Sequence, residues 1–543
     1  MERLKMLTIK NRSQMPSWAV FIILFVFLFF TGRIIPAVAG VNEWDVLAVA
    51  RRFMDPSWIP SDWYLNQPIG YRYFFNIVIG GLFRIFPFPV GIFIGRILMH
   101  LCLAWAFTRL VQVVKINTGV IIWALFLYLT SYVPQSLCAG EWFTRALESK
   151  VFAYAFWIIS MTYLLEKRYV AFWIFAGISA SFHVLVGGYG LLSCGMFFII
   201  DRAASRDFAD IKALLRKSWI FLISGALGIW SILSFFFLSG DGTSEQAAQI
   251  YTWRVGHHVN PLMRNGTFRE SKFLLCIGAV VGLAFVFAFF KKIMPNKRLQ
   301  SLALICLLSS LFLFLGMGVA MSGNAGLMKL YLFRFPDVMV PFFLTILVLQ
   351  AVYSLFIRGM EYLHKPKAAS YLTILLLASM CVALVYQDRI SSVVHDVRRL
   401  NETDLSPRQK RNKRTQLYTW IRENTAEDSV FFVNPGQLFD FYIRAERARV
   451  VSAKHMPQTA PEIIEWYKRL TFGNNGIEPD LNKKFRRRTR IKDKHFSKIS
   501  KKALLKNKTR FGYDYYLSFV QRKDLKEWEV YRNSEFFVYK VPG

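Results

Sequence analysis

Charge is what this sequence has little of. Only 19% of its 543 residues are Asp, Glu, Lys or Arg, where a soluble chain carries about a quarter. Carboxylates are scarcer still: 35 Asp and Glu stand against 68 Lys and Arg, for a net charge of +33. The six cysteines (Cys102, Cys138, Cys194, Cys276, Cys306, Cys381) fall in or beside apolar stretches without metal-type spacing, so neither a zinc site nor a disulfide framework is indicated. No internal repeat is evident. The glycines at 187, 188 and 190 follow no strand and precede no lysine, which excludes a phosphate loop; they read as a tight turn between short spans.

Apolar mass is what the chain does have. Hydrophobic residues make up 54% of it and aromatics 16%, with 51 Phe, 23 Tyr and 15 Trp, and the mean hydropathy is +0.32. A water-soluble enzyme is thereby excluded. In a multi-spanning protein an excess of cations points first to cytoplasmic loops facing anionic headgroups, and no nucleic-acid partner is expected.

A helical span takes about 20 apolar residues. Runs at 17–35, 92–113, 118–136, 151–165, 169–185, 187–200, 218–238, 272–290, 299–319, 336–357 and 370–387 give about eleven transmembrane helices. The segment 71–89 holds Arg72, Asn76 and Arg84 and is read as a re-entrant or surface-lying helix, since a full span there would put the basic loops 166–168, 201–217 and 291–298 on the wrong side. The N-terminus, with Arg3, Lys5, Lys10 and Arg12, is then cytoplasmic and leads into a retained first span. The segments 36–91, 137–150, 239–271, 320–335 and 388–543 lie outside.

The fold class expected is a polytopic α-helical membrane protein, residues 1–387 with a long first exterior loop at 36–91, followed by a small exported α/β domain at 388–543. In that domain helices are expected at 415–424, 437–447 and 461–470, and strands at 429–433, 449–453, 514–520 and 535–541. Its basic insert, 482–510, reads as a solvated, mobile face.

The first exterior loop carries the most chemistry. Glu43 and Asp45 follow the first span directly, with Asn42 as N-cap of a surface helix. Carboxylates at a bilayer edge lie in reduced dielectric, which raises their basicity and suits proton abstraction; the bland alternative is that the pair caps the positive end of a helix. Other ionisable groups gather outside: Arg254, His257, His258 and Arg264 at 251–264, Arg334 at 329–337, and Glu141, Arg145, Glu148 and Lys150 at 140–156. Glu141, Arg145 and Glu148 share a helical face, where internal ion pairing is the plain reading. His183 lies within an apolar helix pair, and such buried ionisable groups face a cavity or a partner.

A basic N-tail, one span, an acidic pair (Glu43-Trp44-Asp45) in a long exterior loop, the helix ARRFMDPSWIPSDWYL and a Pro-containing segment leading to GRILMHLCLAWAFTRL together resemble the GT-C superfamily of integral-membrane glycosyltransferases, more closely its uncharacterised bacterial members. The family motif is an adjacent acidic pair; here a tryptophan is interposed. The resemblance implies inverting transfer of a sugar from a polyprenyl-phosphate donor to a lipid, glycan or protein acceptor on the non-cytoplasmic face of a bacterial inner membrane. It implies Asp45, with Glu43 as partner or substitute, as base. Donor phosphate would be held by Arg334, Arg254, Arg264 and His257, while Glu141, Glu148, His183 and His258 would line the acceptor cavity. No cofactor is required by this reading, and a divalent cation stays open. A transporter or flippase, or a polymerase or ligase of lipid-linked polysaccharide, are the alternatives.

Overall fold

In a computed structural model the residues described are 15–31, 42–68, 72–130, 136–144, 146–238, 245–264, 267–362, 371, 375, 376, 378, 412–481 and 493–543. The helices run α1 (Ser17–Thr31), α2 (Glu43–Met54), α3 (Tyr73–Ile85), α4 (Phe88–Val114), α5 (Thr118–Thr130), α6 (Ser149–Leu165), α7 (Tyr169–Phe182), α8 (Val184–Ala204), α9 (Phe208–Arg216), α10 (Trp219–Ser224) and α11 (Ala226–Leu238). They continue as α12 (Glu245–Val259), α13 (Glu270–Ala288), α14 (Lys297–Ser309), α15 (Leu311–Ser322), α16 (Ala325–Met328) and α17 (Arg334–Tyr362).

Five stretches among the described residues are long and apolar enough to cross a membrane: Phe88–Val114, Val184–Ala204, Glu270–Ile293, Lys297–Ser322 and Arg334–Met360. A sixth arises if Phe208–Ser224 and Ala226–Ser234, bent by 67° at Gly225, form one broken span. The expected count of about eleven is therefore not supported. Ser17–Thr31, Thr118–Leu129, Ser149–Leu165 and Tyr169–Phe182 are apolar but shorter, and the run at 370–387 lies largely outside the described residues. Apolar composition alone overcounted, because a helix that packs on its neighbours is as greasy as one that meets lipid.

The segment 71–89 is no straight span. Helix α3 has 13 residues, a rise of about 20 Å against a hydrocarbon core of about 30 Å. It packs on α2 so tightly that a Cβ at Gly80 would stand 2.1 Å from the Ala50 carbonyl oxygen. The glycines read as a turn are instead inside α8. A Cβ at Gly187 would lie 2.4 Å from the Ala180 backbone, and one at Gly190 would lie 2.1 Å from the Trp157 ring, so they admit neighbouring helices. The chain breaks one turn earlier, at the extended residue His183.

Residues 412–481 and 493–543 build a five-stranded sheet from β3 (Val430–Val433), β4 (Ala448–Arg449), β5 (Tyr515–Ser518), β6 (Glu529–Arg532) and β7 (Phe537–Lys540), after the short hairpin β1 (Met263–Arg264) and β2 (Thr267–Phe268). The order is β4-β3-β5-β7-β6. Strand β3 pairs in parallel with β4 and β5, while β7 is antiparallel to β5 and β6. Helices Lys413–Asn424 and Ala460–Gly473 lie close to where the sequence puts them. The helix expected at 437–447 shrinks to Phe441–Ala445, and the strand at 449–453 to Ala448–Arg449. Arg449 explains both: its buried guanidinium bonds the carbonyls of Asn434, Gln437, Leu438 and Val451, so this backbone serves a side chain in place of a ladder. The basic insert is only partly a solvated face. Its helix Lys501–Phe511 buries Leu504 and Phe511, and Phe496 and Ile499 are buried before it; residues 482–492 lie outside the described residues.

Candidate functional site

Helix α2 begins with Asn42, Glu43 and Asp45, and each meets a different partner. Glu43 is held by Arg96 of α4 through Nε to Oε1 (3.1 Å) and Nη2 to Oε2 (2.6 Å), and it accepts the Leu147 N–H at 2.7 Å. Both side chains are 1% exposed. Glu43 is thus a buried tie between α2, α4 and the 136–150 segment. Both carboxylates stand in the first turn of α2, where the capping alternative puts them, but the expected N-cap Asn42 makes no side-chain cap hydrogen bond to α2.

Asp45 is half-buried and accepts the Tyr64 hydroxyl at 2.6 Å. Burial pushes its pKa up, but His455, Arg72 and Lys454 outweigh burial, helped by the Tyr64 hydroxyl, and hold the carboxyl below its ordinary range. The raised basicity expected from reduced dielectric is therefore overturned: at neutral pH, where the His455 ring is uncharged, Arg72, Lys454 and the Tyr64 hydroxyl keep Asp45 ionised.

Asn42 connects this group to the next. Its amide oxygen accepts from Lys454 Nζ at 2.5 Å, and its Nδ2 donates to Glu148 Oε1 at 3.2 Å. Glu148 pairs with Lys150 at 3.4 Å. Lys150 in turn pairs with Glu141, and Glu141 with the Nε of Arg334. Burial acts to raise the Glu141 pKa, yet Arg334, Lys150 and His258 pull it well below the usual carboxylate range. The pairing inside the 140–156 loop is thus real in part, but the partner is Lys150 and the helical register is absent, since α6 begins only at Ser149. Arg145 is outside the described residues.

Asp337, in the first turn of α17, positions the loop. It accepts from Ser136 Oγ (2.7 Å) and from the backbone N–H groups of Cys138 (2.6 Å), Ala139 (3.0 Å) and Glu141 (3.0 Å). His258 joins through Nδ1 to the Ala139 carbonyl at 2.9 Å. Glu141, Lys150, Tyr154, His183, Tyr189 and Arg334 enclose a pocket with about 10 Å³ of free interior, room for one water. Arg72 acts electrostatically on both Asp45 and His183, so the Asp45 and Glu141 groups lie in one field.

Helix α17 and the 136–150 segment also contribute to an apolar groove of about 840 Å³ between α5, α13 and α17, lined by Leu127, Leu137, Leu274, Gly278, Pro341 and Leu344 among others. Leu274 and Leu275 are 64% and 52% exposed, so the groove opens on the outer, apolar face of the bundle. One lining residue, Leu137, belongs to the loop that Asp337 holds.

The 251–264 loop is mostly helix, α12. Arg254 is committed to the carbonyls of Ala453 (2.9 Å) and Lys454 (3.2 Å), which makes it a clamp on the C-terminal domain. His257 is exposed, its ring 3.9 Å from that of His258. Arg264 lies in β1, paired with Thr267. The structure thus joins Asp45, Glu141, Glu148, His183, His258 and Arg334, and gives Glu43 and Arg254 bracing roles. Among the described residues no group of three or more His, Cys, Asp or Glu is placed to hold a metal ion.

Sequence reasoning missed Tyr64, Arg96, Asp337, Lys454 and His455. It also missed Asp62, which accepts from the backbone N–H of Arg449 (2.9 Å) and Leu65 (2.8 Å) and from the Tyr442 hydroxyl (3.2 Å), docking the first loop on the C-terminal domain. Asp337, inside a run long enough to span, carried the one available signal, that of an ionisable group in apolar surroundings.

A family model described as a domain of unknown function (DUF6798) matches residues 413–471. That segment contains Lys454 and His455, the side chains that reach Asn42 and Tyr64. No curated protein matches the chain.

Proposed function

We propose that this protein is a membrane glycosyltransferase that moves a sugar from a polyprenyl-phosphate carrier to a lipid, glycan or protein acceptor on the non-cytoplasmic face. The observation that carries the reading is that an apolar groove, open where a lipid tail could enter, and a buried cluster of cations and carboxylates that runs on to Asp45 are built on the same helix α17 and the same 136–150 segment, which Asp337 ties together. A prenyl chain needs the first and its phosphate needs the second.

In this reading the phosphate competes with Glu141 for the Arg334 guanidinium, whose donors suit phosphate oxygens, while Lys150 supplies a second positive charge. Asp45, ionised and fixed by Tyr64, accepts the proton of the acceptor hydroxyl as that oxygen attacks the anomeric carbon and the carrier phosphate leaves. The closed pocket must open for this, and parting the Arg334–Glu141 pair is the step that opens it.

The test uses membranes containing the full chain and a panel of radiolabelled short-chain polyprenyl-phosphate sugars. Wild type should transfer label from one donor, and Asp45→Asn should abolish product at unchanged abundance. Full activity in Asp45→Asn, or no donor consumed by wild type, overturns the proposal. Carrier movement between leaflets without cleavage would establish a flippase instead.

A further inference from the structure

Among the described residues His455 alone has both ring nitrogens buried without a hydrogen-bond partner. It is 1% exposed, and its ring is sandwiched between Tyr64 (5.5 Å between centroids, 21° between planes) and Tyr442 (5.0 Å, 29°). Tyr64 is also the residue that bonds Asp45. The segment around it is pinned: Trp466 Nε1 donates to the Ser452 carbonyl at 2.9 Å, Arg254 takes the next two carbonyls, and Lys454 reaches Asn42.

A neutral imidazole has one N–H donor and one lone pair, and native structures rarely leave buried polar atoms unused. Two unused atoms on one rigidly presented ring, beside the ionised Asp45, have a use if a ligand supplies the missing partner. Burial, reinforced by Arg449, Lys454 and Arg254, holds the ring neutral against the pull of Asp45. A neutral donor–acceptor pair suits a hydroxyl, which is itself both donor and acceptor, better than a phosphate, which seeks cations.

We propose that His455 is the acceptor-binding residue of the C-terminal domain: its ring nitrogens hydrogen-bond a hydroxyl of the incoming polyhydroxylic acceptor and hold it against Asp45. The inference rests on the transferase reading. No proton passes to His455, whose part is to orient.

Two variants in the full chain, reconstituted in nanodiscs, test it: His455→Phe keeps the ring sandwich without polar atoms, and His455→Gln keeps polar atoms without the ring. The probe is whichever short-chain polyprenyl-phosphate sugar wild type consumes, with water or a hydroxylic acceptor receiving the sugar. Expected for His455→Phe are a melting temperature at or above wild type and an acceptor KM raised about tenfold, the scale of one lost hydrogen bond, with a much smaller change in the KM for the donor; His455→Gln should recover part of it. A melting temperature several degrees lower, an unchanged acceptor KM, or a donor KM rising in parallel with the acceptor KM would each overturn it. Wild type consuming no donor removes the transferase reading and this one together; an active wild type with an indifferent His455→Phe removes only this one.

Discussion

Arg96 of α4 grips Glu43 of α2 through two hydrogen bonds, 3.1 and 2.6 Å, with both side chains 1% exposed. The pair lies two residues from Asp45 and fixes the start of α2 against α4. Removing one partner strands the other as an uncompensated buried charge, which costs about 3–5 kcal/mol. Glu43→Ala and Arg96→Ala should therefore lower the melting temperature markedly, while Asp45→Asn should not. Thermal unfolding of the three purified variants checks this, and an Asp45→Asn protein as unstable as Glu43→Ala would contradict the division of labour.

The contrast shows what was legible. The acidic pair stood out in the sequence because carboxylates are rare in this chain, and its place after the first apolar run marked it for attention. Which member was structural was not legible, because Arg96 sits inside a 27-residue apolar helix with nothing local to tie it to Glu43. His455 gave no sign at all, since its meaning lies in Tyr64, far away in sequence, and in Tyr442, on a separate short helix. Apolar periodicity found the helices, but it could not tell lipid-facing length from packed length, and so it overcounted spans.

Acid should act on the docking of the first loop in two opposing ways. Burial raises Asp62 from 3.8 to about 6, against the hydrogen bonds from Arg449, Leu65 and Tyr442. The folded state then holds a proton that the unfolded state releases, so this contribution is complete below about pH 4 and is lost as pH rises through 6. Burial lowers His455 from 6.5 to about 3, so the unfolded state binds the extra proton, and stability is lost as pH falls below 6.5. Between pH 4.5 and 6.5 the stability of Asp62→Asn should climb more steeply with pH than wild type, and that of His455→Phe less steeply, each difference accumulating to about 1–3 kcal/mol across the window. Melting curves at four pH values give the slopes; identical slopes in all three proteins would refute the assignment.

Gly190 is a packing position. A Cβ there would meet the Trp157 ring at 2.1 Å, and forced overpacking of this kind costs about 1–3 kcal/mol. Gly190→Ala should lower the melting temperature, whereas Gly188→Ala, with nothing within 4 Å, should be neutral or better. Equal melting temperatures for the two would restore the turn reading.

Orientation is open to labelling. Thr509, exposed on helix Lys501–Phe511, and Ser205, exposed after α8, belong to segments assigned to opposite faces. In intact cells Thr509→Cys should react with an impermeant maleimide and Ser205→Cys should react only after permeabilisation. The reverse pattern would place the Asp45 group in the cytosol.

The groove admits a sharper experiment than the polar cluster, because it can be filled without touching a charge. Gly278 of α13 lines it, and a Cβ there meets nothing within 4 Å. Gly278→Trp should therefore fold normally and occupy the space meant for a prenyl tail. Such a variant should lose long-chain donors while still using a carrier too short to reach the groove, since the Arg334 and Asp45 groups are unaltered. Loss of both classes at full stability would mean that the indole disturbs the loop at Leu137, and Leu127→Phe, which fills the groove from α5, would separate the two. Retention of both would mean that the tail lies elsewhere, and the groove would then be nothing more than a seam between helices filled by ordinary lipid.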